Sequence, residues 1–148
     1  MMDLKTRIET ELKDAMRARE QRTVNALRLM TAAMKQIEVD ERVILDDARV
    51  LAILDKLAKQ RLESISQYQK ANRDDLIEQE QFELGLIKRY LPEPLSESEV
   101  DTLITEAFYE TRAESMREMG KVMAYLKPRL QGRADIATIS ARIKAKLQ

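Results

Sequence analysis

Two prolines one residue apart, in Leu91-Pro92-Glu93-Pro94-Leu95-Ser96, constrain this chain of 148 residues more than any other feature, because the sequence holds only one further proline. Each ring fixes φ, removes a backbone donor and disfavours helix at the residue before it, so no helix can run through this stretch. Elsewhere the vocabulary is mostly Ala, Leu, Glu, Lys, Arg, Gln and Met, side chains that lose little rotamer freedom in a helix. The expectation is an all-α fold without sheet. An N-terminal bundle of about four helices over 1–91 leads through a stiff, extended Pro-rich linker at 92–96 to a small three-helix tail domain over 97–148.

Hydrophobic spacing supplies the helices. Leu4, Ile8, Leu12 and Met16 recur at helical intervals until the charged run Arg19-Glu20-Gln21-Arg22. Leu27, Met30, Met34 and Ile37 then form one stripe, with Ala26, Leu29 and Ala33 beside it, an arc wide enough for a central helix. After a polar turn at 39–45, Asp46 suits the N-cap of a long helix burying Leu51, Leu54, Ala58, Leu62, Ile65 and Tyr68. A fourth helix places Ile77, Leu84, Ile87 and Leu91 inward. Past the prolines, Ser96 and Glu99 have the S-x-x-E spacing of a capping box, and Ser115 with Glu118 repeats it. Helix 5 would bury Val100, Leu103, Ile104, Ala107 and Phe108; helix 6, Met116, Met119, Met123, Leu126 and Leu130. Asp135 would cap a last helix carrying Ile136, Ile139, Ile143 and Leu147.

The absence of histidine and cysteine excludes Ser-His-Asp and Cys-His nucleophiles, the common zinc sites and disulfides. Glu78, Glu80 and Glu83 could approach a hard cation, but a helical di-metal carboxylate site needs Glu-x-x-His pairs. Gly120-Lys121 is no phosphate loop, since Ser115 stands where the first glycine belongs and Val122 follows the lysine. No catalytic residue, metal or cofactor is therefore expected, and no apolar run approaches a membrane span. The N-terminus lacks the apolar run of a signal peptide, which makes the cytoplasm the expected compartment.

Net charge is zero, yet residues 74–110 hold eleven acids against two cations, whereas residues 117–148 hold eight cations against two acids. Projected at about 100° per residue, helix 6 turns Arg117, Gly120, Lys121, Ala124 and Lys127 away from its apolar arc. Small residues between cations would let a ribose-phosphate backbone approach closely. Packing of this helix on the first domain, eased by Gly120, would explain the same residues. The methionines sit on stripes that suit core packing. Tyr68, Tyr90, Phe108, Tyr109 and Tyr125 are too scattered for an RNA-stacking platform.

The string Ser115-Met116-Arg117-Glu118-Met119-Gly120-Lys121-Val122-Met123, followed by Leu126-Lys127-Pro128-Arg129 and Gly132-Arg133-Ala134-Asp135, resembles the signature of the GatB/YqeY proteins. Lys59-Gln60-Arg61 with Ser64, the run from Lys70 to Leu76, Glu78-Gln79-Glu80 and Tyr90-Leu91-Pro92 extend the resemblance over nearly the whole chain. It implies a helical domain followed by a tail domain, the module that ends the B subunit of glutamine-dependent tRNA amidotransferase and helps grip transfer RNA. A carbon-nitrogen ligase label with glutamine as amido donor would come by that resemblance alone. The reading it favours is a stand-alone tRNA-binding module, with Arg117, Gly120, Lys121, Lys127, Arg129, Gly132 and Arg133 as the RNA-binding residues. The alternative is an adaptor that docks on an amidotransferase, a tRNA synthetase or a second copy of itself.

Overall fold

The computed structural model describes residues 2–148, and every regular element in them is helical, as the composition leads one to expect. The contacts divide the chain into two compact units, one reaching to Leu91 and the other covering Pro92–Gln148.

The first unit contains α1 (Leu4–Arg17), α2 (Gln21–Glu41), α3 (Asp47–Lys70) and α4 (Asp74–Lys88). Side chains placed where the chain enters a helix satisfy its free amides: Asp3 accepts from the Thr6 amide at 2.7 Å and Asp46 from the Arg49 amide at 2.9 Å. Left-handed residues end the helices, at Arg19, Arg42 and Asn72, with φ of 58°, 54° and 55°. The three-residue connections at 18–20 and 71–73 fold α1 with α2, and α3 with α4, into helical hairpins. Between them lie Ile8, Val24, Leu27, Met30, Met34, Val50, Leu54 and Ile87, all buried. Each such side chain contributes about 1.5–3 kcal/mol of transfer free energy.

Three positions on the expected apolar stripes are open to solvent, Met16 at 47% on α1 and one each on α2 and α3. Leu29 is 50% and Leu62 51% exposed, because the covered arc of α2 runs through Val24, Leu27, Met30 and Met34 and that of α3 through Val50, Leu54, Ala58 and Ile65. The turn expected at 39–45 is shorter and less polar than it reads. Helix α2 continues to Glu41, and Val39, Val43 and Ile44 face solvent while Leu45 is buried.

The second unit contains α5 (Glu97–Thr111), a 3₁₀ turn at Met116–Glu118, α6 (Met119–Leu130) and α7 (Ile136–Leu147). Its core is Val100, Ile104, Ala107, Val122, Leu126, Leu130, Ile139, Ile143 and Leu147. The capping box of α5 is complete: the Glu99 amide donates to Ser96 Oγ and the Ser96 amide to Glu99 Oε1, both at 3.1 Å. Ser115 forms no such box. Its hydroxyl meets Glu118 Oε1 at 3.3 Å, Glu118 Oε2 accepts from the Glu114 amide at 2.5 Å, and the chain enters α6 through the 3₁₀ turn, leaving Met116 40% exposed. Asp135 caps α7 as expected, accepting from the Ala137 amide.

The Pro-rich segment is not a free spacer. The Leu95 amide donates to the Arg133 carbonyl at 2.8 Å, and Arg133 Nε donates to the Glu93 carbonyl at 3.0 Å. Residues 93–95 are thereby tied to the turn that follows α6.

Candidate nucleic-acid interface

Helix α6 is amphipathic because Val122, Met123, Leu126 and Leu130 pack into the second unit's core. The other side of the helix must then face away from that core. Arg117, Gly120, Lys121, Ala124, Lys127 and Arg129 are all exposed. Among the described residues no carboxylate pairs with Arg117, Lys121, Lys127 or Arg129. A methyl group added at Gly120 would meet nothing within 4 Å, so this glycine does not serve to let a neighbouring side chain pack close. Pro128, in the last turn of α6, has no N–H to give the Ala124 carbonyl.

Three of the residues expected to touch RNA have structural employment. Gly132 takes φ 74°, a left-handed turn that glycine enters without steric cost, which by itself gives the position a reason to be glycine. Arg133 is half-buried and engaged with Glu93, and its charge helps hold the Glu99 carboxyl below the ordinary carboxylate range, after the larger effect of the hydrogen bonds from Ser96. Arg129 is folded back along the helix: its guanidinium carbon lies 3.7 Å from the Tyr125 ring centroid, and its Nη1 donates to the Tyr125 carbonyl at 2.5 Å. Tyr125, one of the scattered aromatics in the sequence, thus has a defined place beside the cations. The i, i+4 spacing of Tyr125 and Arg129 was the available signal, since side chains on a helix lean toward its N-terminus.

The remaining cations of the basic C-terminal segment differ in fate. Arg142 is neutralised by Asp101 at 2.5 Å, with Glu97 at 4.0 Å, whereas Lys144 and Lys146 are exposed in the last turn of α7. The acids considered for a cation separate. Glu78 pairs outward with Arg22 at 3.4 Å, while Glu80 and Glu83 turn inward on Arg61 at 3.2 and 2.7 Å. The Arg61–Glu83 contact is a hydrogen bond, but Arg61 Nε and Glu80 Oε2 are buried and misaligned. Burial accordingly pushes the Glu80 carboxyl above its usual range, outweighing the attraction of Arg61.

Every regular element among the described residues is helical, and the contacts separate a unit that reaches to Leu91 from one that begins at Pro92 and carries the exposed cations of α6. The chain belongs to the Yqey-like protein family, whose model matches residues 5–147. It is similar to the altered inheritance of mitochondria protein 41 of Pyrenophora tritici-repentis, 30% identical over 141 residues that make up 93% of this chain and 77% of that one. The protein of the same name from Lachancea thermotolerans is 30% identical over 149 residues, 96% of this chain and 80% of its own length. That from Meyerozyma guilliermondii reaches 38% identity over 84 residues, 57% of this chain and 44% of that protein. The names of all three include the word mitochondrial. No helix among the described residues is long and apolar enough to cross a membrane.

Proposed function

We propose that this chain is an RNA-binding module for transfer RNA, which lays the ribose-phosphate backbone along the outer side of α6. The observation that supports the reading is that Arg117, Lys121 and Lys127 are exposed and without a carboxylate partner among the described residues, around open space at Gly120. Such contacts position a backbone and read its shape, and they carry little base specificity. They also release counterions: three contacts give a slope of about −2 to −3 in log affinity against log salt. The resemblance to the end of the amidotransferase B subunit makes transfer RNA the first substrate to try, with the amidotransferase or a tRNA synthetase as the enzyme that would share it. The compartment would be one that holds transfer RNA, the cytoplasm or, as the relatives' names suggest, the mitochondrial interior.

Gel-shift titration of unmodified transfer RNA over a salt series is the test. Lys121→Glu combined with Lys127→Glu is expected to abolish the shift while circular dichroism remains that of the parent. Unchanged binding defeats the reading.

A second reading, the protein adaptor, is favoured by a different observation: Val39, Val43 and Ile44 are exposed together where α2 passes to α3, Ile44 at 89%. Isolated apolar side chains are ordinary on a surface, but three within six residues are a local concentration of the kind a partner could cover. Partners of an adaptor would survive nuclease treatment in a pull-down and be lost on Ile44→Asp.

A further inference from the structure

Among the described residues, three arginines lie over aromatic rings. Arg22 is 4.3 Å from the Phe82 centroid, Arg7 is 5.0 Å from that of Tyr90, and Arg129 is 3.7 Å from that of Tyr125. The first two are completed by acids. Arg22 Nη2 reaches Glu78 at 3.4 Å, and Arg7 Nε reaches Glu11 at 3.4 Å, while the Tyr90 hydroxyl itself donates to Glu11. Arg129 has no carboxylate among the described residues and lies exposed, so its plane carries a full charge with one face on Tyr125 and the other toward solvent.

The Arg129 side chain is also held in rotation. A separation of 3.7 Å is van der Waals contact, and the 2.5 Å bond from Nη1 to the Tyr125 carbonyl fixes the fork about its axis. A phosphate oxygen asks only for a mobile positive point, which Lys121 and Lys127 already supply. A flat cation backed by a ring is suited to something flat. Bases released from pairing stack on guanidinium planes and aromatic rings in just this way. Lys121, Tyr125 and Arg129 follow one another at i, i+4 and i+8 along a single row of α6, so a phosphate at Lys121 and a base on Arg129 would lie within about 12 Å along the axis.

We infer that the Tyr125–Arg129 stack receives one unpaired nucleobase, so that α6 takes RNA at a single-stranded segment. The inference rests on the RNA-binding reading above. Arg129 is then the contacting residue and Tyr125 a positioning residue that acts through it.

The test compares two defined RNAs: a single-stranded 12-nucleotide oligoribonucleotide carrying one 2-aminopurine, and a blunt, fully paired hairpin whose strands are joined by a hexaethylene glycol linker in place of loop nucleotides, with its 2-aminopurine inside the stem. Wild-type protein is expected to bind both and to change the fluorescence of the single-stranded probe alone. Arg129→Lys keeps the charge and removes the plane. It is expected to weaken the single strand about tenfold, abolish that fluorescence response and leave the hairpin within twofold, since one base stack is worth of that order. Tyr125→Leu should do the same, and Tyr125→Phe should behave as wild type. Equal losses on both RNAs, or none, overturn the stacking inference while leaving the RNA reading intact. No binding of either RNA by wild-type protein overturns both.

Discussion

Arg133 and Glu93 stand forty positions apart in sequence, yet the arginine Nε donates to the Glu93 carbonyl at 3.0 Å, and the Leu95 amide returns a 2.8 Å bond to the Arg133 carbonyl. This reciprocal tie makes Arg133 part of the second unit's framework. Arg133→Ala should therefore cost stability, about 0.5–1.5 kcal/mol for one partly exposed hydrogen bond, and speed amide exchange at Leu95. In the gel shift it should lower transfer-RNA affinity less than Lys121→Ala does. A larger loss from Arg133→Ala, with the Leu95 amide still protected, would return this residue to the RNA contacts.

Gly120 separates folding from function in the opposite direction. Open space surrounds the position, so Gly120→Ala should stabilise the second unit by up to about 1 kcal/mol through lower backbone entropy in the unfolded chain. The same methyl group, placed where a backbone would lie, should weaken RNA binding. Thermal melts and gel shifts on one protein preparation read both effects. A variant that melts higher and binds RNA as tightly would show that nothing approaches α6 closely at this point.

Besides Arg19, which follows the cap of α1, two arginines are themselves helix C-caps in the left-handed region, Arg42 with φ 54° and Arg112 with φ 54°. Glycine adopts that conformation at no steric cost, and the penalty for other L-residues is roughly 1 kcal/mol. Arg42→Gly is expected to stabilise the first unit and Arg112→Gly the second, each by about 0.5–1 kcal/mol or a few degrees of melting temperature. Chemical denaturation followed by helicity measures both, and a drop in midpoint for either would refute the argument from backbone strain.

Two carboxyls shift in opposite directions and give opposite pH responses. Hydrogen bonds from Ser96 lower Glu99, so its contribution is present above the unfolded value near 4.5 and is lost as pH falls through the depressed folded value. Burial raises Glu80, so the penalty for its charge is absent below the unfolded value and grows as pH rises through the elevated one. Glu80→Gln should thus stabilise the first unit at neutral pH and lose that advantage in acid. Glu99→Gln should destabilise the second unit at neutral pH, and less so in acid. Urea midpoints at pH 3, 5 and 7 would decide, and a Glu80→Gln gain that persists unchanged at pH 3 would count against burial as the cause.

The parts of this molecule legible in the sequence are those set by neighbours along the chain. Asp46, Ser96 and Asp135 announce helix starts because a cap is made within three residues, and the prolines at 92 and 94 act on their own backbone. Met16, Leu29, Leu62 and Met116 lie on apolar stripes yet outside the cores, because a stripe says which side of a helix is greasy, not how much of it another helix covers. Ser115 misled for a related reason: the Ser-x-x-Glu pattern is the same as at Ser96, but the Glu118 carboxylate is spent on the Glu114 amide and a 3₁₀ turn intervenes. Of the proposed interface, the exposure of Lys121 and Lys127 follows from the helical period, whereas Arg117 lies in the 3₁₀ turn that precedes α6. The employment of Arg133 depends on a contact across forty residues, which no local pattern encodes.

Because the chain contains no cysteine, the unoccupied volume over position 120 can be turned into a sensor. A thiol introduced there by Gly120→Cys would be the sole target for a maleimide, and its alkylation rate would gauge directly how deeply any bound molecule shields the middle of α6.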